Sequence, residues 1–353
     1  FVSIDHMPVF VPDKGNSNKY ISDRDELING DHLKFHCDYL GFMIDEYNMT
    51  WNSALNLQCQ PRLYRKPKQP LGGKYIICGS GPSLDQNIDQ VKRLSNEYII
   101  VASASNYRTL RKNGIDVDVL VLLERGAYEY DNYLSVVSEY GVGSTKLFCS
   151  VTCDSRLHSL FEESMVYFRA ALSPVSIFCF ETRQVLELEG PQTINASAAM
   201  ASFLGADEVV FVGVDLGAKS LDKVRSDSAV GLSERNFNIE REGNFCEKVY
   251  TSKLLVDGCI ALEMLIQTSP QTRFYNSSDG LMIKGALPRL ISDMPSEHCE
   301  QEINSKTRLN SWWKKQYKFS NSDLRAFWDS TRPRAQVSET INSIKQSIDS
   351  DQP

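Results

Sequence analysis

The chain has no run near the roughly 20 consecutive apolar residues that a membrane helix needs. Its most apolar stretches, Tyr98 to Ala102, Val117 to Leu123 and Glu208 to Val214, are far shorter. Basic charge is also scarce. Lys and Arg number 38 against 45 Asp and Glu, for a net charge of -7, and no basic stripe stands out. A nucleic-acid backbone is therefore not expected as the main partner. The first residues, Phe1 through Pro12, hold Asp5, His6 and Pro8 rather than a basic and then apolar leader, so no secretory signal is read there. A start without methionine is what a fragment of a longer protein would show. Internal repeats are missing. So is any second cysteine pair or His cluster near Cys149 and Cys153 that would complete a zinc site, and no metal is expected. The nine cysteines are odd in number and scattered, with Cys78 and Cys149 inside apolar runs, as for reduced thiols of a cytoplasmic protein.

What is present describes a folded chain. Hydrophobic residues make up 42% and charged residues 24% of 353 positions, which excludes disorder and fibrous classes and leaves room for one large domain or two ordinary ones. Residues 1–70 are polar and then helix-like around Leu33 to Met49, and end in Pro61, Pro67, Pro70 and Gly72-Gly73, which reads as a boundary. From Lys74 the pattern becomes short apolar runs separated by helix-length segments. The expected strands are Tyr75–Cys78, Tyr98–Ala102, Val117–Leu123, Lys146–Val151, Met165–Phe168, Glu208–Gly213 and Arg273–Tyr275. Strands apolar on both faces imply a parallel sheet covered on both sides, an α/β, doubly wound, Rossmann-like fold. The expected division is an N-terminal extension over 1–70, the Rossmann-like domain over 71–292 and a helical C-terminal extension over 293–353, with an amphipathic tail from Val337 to Ile348. Asn195 is read as the N-cap of a helix ended by Gly205, and Thr251 or Ser252 as the cap of a helix through Ile266. The charged stretch from Gly217 to Tyr250 has the length of a lid or binding loop.

The sharpest local signal is a strand that runs into Gly79-Ser80-Gly81-Pro82-Ser83. Glycines there permit tight turning and the close approach of a phosphate to a helix N-terminus. The block is neither a dinucleotide fingerprint, because Leu84 stands where the third glycine belongs, nor a P-loop, because no Gly-Lys-Ser/Thr follows. Further polar clusters end later strands: Ser103-Ala104-Ser105-Asn106, Glu124-Arg125-Gly126, Gly213-Val214-Asp215 and Asn276-Ser277-Ser278-Asp279-Gly280. In open α/β sheets the ligand sits beyond the carboxyl ends of the strands, so clusters at that edge are candidate site residues, although each alone is also ordinary turn chemistry. Asn195 serves equally as a cap or a contact.

These blocks, together with Thr193-Ile194-Asn195-Ala196-Ser197-Ala198 and Gly205-Ala206-Asp207-Glu208, resemble the motility-associated factor (Maf) family over about 74–290. That family is similar to bacterial CMP-sialic acid sialyltransferases. The resemblance implies transfer of a nonulosonic acid (pseudaminic, legionaminic or sialic) from a CMP-activated donor to a protein Ser or Thr, flagellin-like, or to a glycan hydroxyl. No further cofactor is implied. It places the CMP phosphate and ribose on Gly79, Ser80, Gly81, Pro82 and Ser83, the nucleotide edge on Ser105 and Asn106, and the cytidine on Asn276, Ser277 and Gly280. Asp215 falls on the sugar side as the candidate catalytic carboxylate for an oxocarbenium-like transition state. The sequence departs from the sialyltransferase pattern at Val249-Tyr250-Thr251-Ser252-Lys253, which lacks the expected His base, and the base is left unassigned. Two other readings remain. A hydroxymethylpterin pyrophosphokinase would need Mg²⁺ on Asp116, Asp118, Glu124 and Asp215. A non-catalytic nucleotide-binding scaffold would use Trp312-Trp313, beside Lys314 and Lys315, as an exposed docking patch, although packing of both Trp onto the main domain is the more common outcome.

Overall fold

Strand β2 (Lys74–Cys78) turns Tyr75 and Ile77 to one side and Ile76 and Cys78 to the other, and all four are fully buried. A strand apolar on both faces has to be covered on both. The structure, a computed structural model, describes residues 43–170, 172–179, 181–230, 236–295 and 305–320, with 322, 323 and 325. β2 is followed by β3 (Ile99–Ser103), β4 (Val119–Leu122), β5 (Lys146–Ser150) and β6 (Ser164–Arg169), then by β8 (Glu208–Val212), β11 (Arg273–Asn276) and β12 (Leu287–Pro288). Two short strands, β1 (Arg62–Leu63) and β7 (Val185–Leu186), both join β6. The sheet order is β1-β6-β5-β4-β3-β2-β8-β11-β12, and all of its pairs are parallel.

Helices α2 (Ser83–Leu94), α3 (Tyr107–Lys112) and α4 (Tyr128–Tyr140) cover the face carrying Ile76, Ile100 and Leu120. Helices α6 (Thr193–Phe203), α7 (Lys253–Gln267) and α8 (Ser305–Lys315) cover the opposite face with Ile77, Val101 and Val121. α6 is buried all round from Thr193 to Ala201, because it lies between the sheet and α7, and its alanines allow both to come close. The chain steps outward from β2 to β6 and then returns to place β8 on the other side of β2. The order reverses between those two strands, which is where such sheets open a crevice. Among the described residues no helix is long and apolar enough to cross a membrane.

The seven strands expected from the sequence all form. Contacts cross both expected boundaries, at 70 and at 293. α1 (Met43–Gln58), which packs on the short α5 (Ser173–Phe178), sends the Asn56 amide to the carbonyls of Val151 and Cys153 at 2.8 and 2.6 Å, and β1 extends the sheet from β6. On the other side α8 packs Trp312 edge-on against Tyr64 and Trp313 against Phe148, both with centroids 6.3 Å apart. Trp313 is fully buried, so the tryptophan pair belongs to the core rather than to a docking patch. Short apolar anchors such as Leu57, Leu63 and Tyr64, all buried, do this work inside segments whose average polarity is high. The tail from Val337 to Ile348 and residues 33–42 of the first expected helix lie outside the described residues.

Candidate active site

At the carboxyl ends of β2 and β8 the two strands approach so closely that side chains are excluded. A Cβ on Gly79 would meet the Gly213 carbonyl at 2.3 Å, and one on Gly81 would meet Asp215 Oδ2 at 2.0 Å. Beyond its last strand residue the glycine loop stays paired to β8, with Gly79 N donating to Val212 and Gly81 N to Gly213, each at 2.8 Å. Ser83 then opens α2 by donating its N–H to Asp215 Oδ2 at 2.9 Å and its hydroxyl to Oδ1 at 2.6 Å. Asp279 N adds a third bond to Oδ1 at 2.9 Å. Burial pushes the Asp215 carboxyl above its ordinary range, opposed by the bonds from Ser83 and Asp279.

The loop after β11 lies beneath this junction. Asn276 Oδ1 accepts from Ser278 N and its amide donates to Leu281, while Ser277 bonds the Arg289 carbonyl and Ser278 Oγ accepts from Val214 N. Gly280 presses on the backbone of Asp215, where a Cβ would sit 1.8 Å from its carbonyl oxygen. Asn276, Ser277 and Gly280 therefore support the β8 loop from behind and do not line the open space. Asn106 is likewise fully buried, its amide donating to the Cys78 carbonyl. Asn195 is the third residue of α6 rather than its cap. Gln192 takes the cap position, and the two side chains form a capping box while the Asn195 amide reaches the Gly258 carbonyl at 2.9 Å.

The open space is a cleft of about 330 Å³ over the switch point between β2 and β8. Gly79, Ser80, Gly81, Ser105 and Asp215 line it, which brings the expected glycine loop, the β3 end and the β8 end together. Pro82 and Ser83 stand at its edge as the entry to α2. The loop's N–H groups are largely engaged, since those of Gly79, Gly81 and Ser83 all have protein acceptors and Pro82 has none. Described residues of the stretch after Gly217 reach over the cleft, with Val224, Arg225, Val230 and Phe237 lining it. Ser226 N donates to the Ser80 carbonyl at 2.9 Å, Val230 N to the Ser105 carbonyl at 3.0 Å, and Lys223 pairs with Asp85 at 2.8 Å. A two-stranded antiparallel ribbon, β9 (Ile239–Arg241) and β10 (Val249–Thr251), continues this insert.

Two cleft residues were not singled out from the sequence. Arg225 is the one cationic side chain among the described lining residues, and it bonds the Val230 carbonyl at 2.7 Å. Glu129, in the first turn of α4, is 9% exposed and shares the cleft with Glu124, Tyr128 and Asn132. A helix N-terminus stabilises a carboxylate by only about 0.3–1 kcal/mol. Burial and then the Glu124 charge outweigh this and push the Glu129 carboxyl up to about 7. Nothing in the sequence marked Glu129, since an acidic residue in a first helical turn is ordinary and its burial depends on the opposite wall.

The carboxylates proposed for Mg²⁺ are not brought together. Asp116 and Asp118 precede β4 at the far edge of the sheet, paired to Arg111 and Lys306, both at 2.7 Å, while Glu124 and Asp215 lie in the cleft. No group of metal-ligating residues forms among the described residues. His158 is also away from the cleft, bonded through Nε2 to Asn56 Oδ1 at 2.6 Å and pushed down to about 4 by burial.

The fold and this cleft together define a doubly wound, Rossmann-like protein with a lidded site at the switch point. Comparison with known proteins agrees. A family model described as 6-hydroxymethylpterin diphosphokinase MptE-like matches residues 48–220. Among solved structures the chain is similar to the Maf glycosyltransferase of Magnetospirillum magneticum AMB-1, with 27% identity and a TM-score of 0.68 over 84% of this chain and 48% of that one. The chain thus spans about half the length of that relative. A sialyltransferase of Campylobacter jejuni, solved with cytidine-5'-monophosphate, is 17% identical with a TM-score of 0.35 over 63% of this chain and 88% of that one, too slight a likeness to carry argument. The curated proteins contain no match. The resemblance to Maf glycosyltransferases seen in the strand-end motifs therefore holds at the level of the fold.

Proposed function

We propose that the protein is a cytoplasmic glycosyltransferase that moves a nonulosonic acid from a CMP-activated donor to a hydroxyl of a flagellin-like protein or of a glycan, without a further cofactor. The observation that carries this is the lidded cleft at the switch point, formed by the same strand-end blocks that resemble the Maf family, in a chain whose fold is similar to a Maf glycosyltransferase. The donor is an anion twice over, through its phosphate and its carboxylate. Arg225 from the lid and the Ser80 and Ser105 groups offer the complementary charge and hydrogen bonds. Departure of CMP then needs its phosphate charge stabilised, which preorganised donors accomplish without reorganisation. In this scheme Asp215, held by three hydrogen bonds, fixes the glycine loop while its negative charge faces the sugar side.

The diphosphokinase alternative draws on the family model over residues 48–220. It has to find its Mg²⁺ ligands elsewhere, because Asp116 and Asp118 stand at the opposite edge of the sheet from Glu124 and Asp215. Calorimetry with CMP, ATP, GDP and UDP, each with Mg²⁺ and with EDTA, separates the two. Selective CMP binding that survives EDTA, followed by CMP release from a CMP-nonulosonate, is expected. ATP binding that disappears in EDTA would move the assignment to the kinase.

A further inference from the structure

Transfer to a hydroxyl needs a group that accepts its proton, and no histidine lines the cleft among the described residues. The cleft supplies one group with the right chemistry. Glu129 projects from the first turn of α4 into the space that the glycine loop and Asp215 close from the other side. Tyr128 and Asn132 of the same helix line the cleft beside it. Around it the cleft presents Glu124 from the loop after β4, Asp215 from the loop after β8, Arg225 from the lid and the neutral Gln192 and Thr193 at the start of α6. Of these acids, Asp215 has both oxygens committed to Ser83 and Asp279, and Glu124 is exposed to water.

We infer, on the glycosyltransferase reading above, that Glu129 is the general base of the transfer. Its carboxylate takes the proton from the acceptor hydroxyl as that oxygen's lone pair forms the bond to the anomeric carbon. The bond from that carbon to the phosphate oxygen breaks, and its electron pair leaves on CMP. Protonated Glu129 then passes the proton to water, so that donor and acceptor give glycoside, CMP and one proton. Glu124 acts on this step only through its charge, as a positioning residue that adds to burial in raising where Glu129 titrates.

A carboxyl pushed up to about 7 would be half ionised near neutrality, so kcat/KM should rise with pH through that region. Removing the neighbouring charge by Glu124→Gln should move this acid limb to lower pH while CMP affinity holds. Glu129→Gln should lower kcat by about 100- to 10,000-fold, the range for a lost general base, with CMP binding by calorimetry within about threefold of wild type. Wild-type CMP release with Glu129→Gln retaining more than about a tenth of wild-type kcat would overturn the assignment and leave the transferase reading standing. So would an acid limb that persists unchanged in Glu129→Gln. Wild-type protein that binds no CMP and releases none from any CMP-nonulosonate would remove the transferase reading and Glu129's role with it.

Discussion

The hydroxyl of Ser83 lies 2.6 Å from Oδ1 of Asp215, a bond that ties the start of α2 to the end of β8 across the switch point. The same side chain also accepts the Ser83 N–H at 2.9 Å, so one residue is bound twice by one carboxylate. This clamp determines where the glycine loop can stand. It is formed from residues 132 apart in sequence, which is why neither serine nor aspartate alone announces it.

Asp215→Asn tests the clamp. All three of its partners are donors, so whichever way the amide turns, an NH₂ group faces an N–H or O–H. A buried donor left without an acceptor costs about 1–3 kcal/mol, and chemical denaturation should show a loss of that size. Ser83→Ala should cost less, and the double variant should fall short of the sum by on the order of 0.5–3 kcal/mol, because both changes break the same bond. Strict additivity would mean that the two side chains do not act as a unit.

The glycines around Asp215 differ in how far their neighbours can give. At Gly81 an added Cβ meets a carboxylate oxygen at 2.0 Å, but at Gly280 it meets a backbone carbonyl at 1.8 Å. Gly81→Ala should fold with a penalty of about 1–3 kcal/mol and lose CMP binding, since the side chain of Asp215 has to turn away from Ser83. Gly280→Ala should not yield soluble folded protein, because no rotamer change relieves it. Circular dichroism and soluble yield distinguish them. Equal behaviour of the two variants would show that the β11 loop is freer than its contacts indicate.

Much of the architecture was legible in advance because parallel, doubly covered strands such as Tyr75–Cys78 write themselves as continuous apolar runs. The glycine loop was legible for the same kind of reason, a local conformational demand that only glycine meets. Burial created by distant walls was not. Glu129 looks like any acidic residue of a first helical turn, and its raised pKa comes from burial and Glu124. Asn276 and Ser277 looked like ligand contacts from their strand-end position and from the family resemblance, yet both are turned into the support of the β8 loop. The segments before Lys74 and after Pro295 looked separate because a few buried anchors, Tyr64 and Trp313 among them, are lost in a polar average.

Glu129 should also make stability depend on pH. Its folded carboxyl is raised from 4.5 to about 7, so the folded state holds a proton that the unfolded chain has already released. The contribution is complete below pH 4.5 and is lost as pH rises through about 7. Glu129→Gln, which cannot ionise, should therefore gain on wild type between pH 5 and pH 8, by about 2 kcal/mol after allowing for partial solvent access. Denaturant midpoints across that range measure it. A difference between variant and wild type that stays constant with pH would mean that Glu129 is ionised throughout.

Arg225 and Lys223 lie two residues apart on the lid and should respond differently. Lys223 pairs with Asp85 at 2.8 Å and Asp227 at 2.8 Å from an exposed position, an arrangement worth no more than about 1 kcal/mol. Arg225 lines the cleft, where a charge-assisted bond to a bound phosphate or carboxylate is worth about 1.5–3 kcal/mol. Arg225→Gln should then weaken CMP-donor binding by about 10- to 100-fold, and added salt should weaken wild type more than the variant. Lys223→Gln should change donor affinity by less than about fivefold, since it removes only the outer latch to Asp85. Titration of each variant with CMP and with the intact CMP-sugar locates the contact: a loss seen with both assigns Arg225 to the phosphate, and a loss seen only with the intact donor assigns it to the sugar carboxylate. Unchanged affinity for both ligands in Arg225→Gln would show that the lid closes over the donor without gripping its charge.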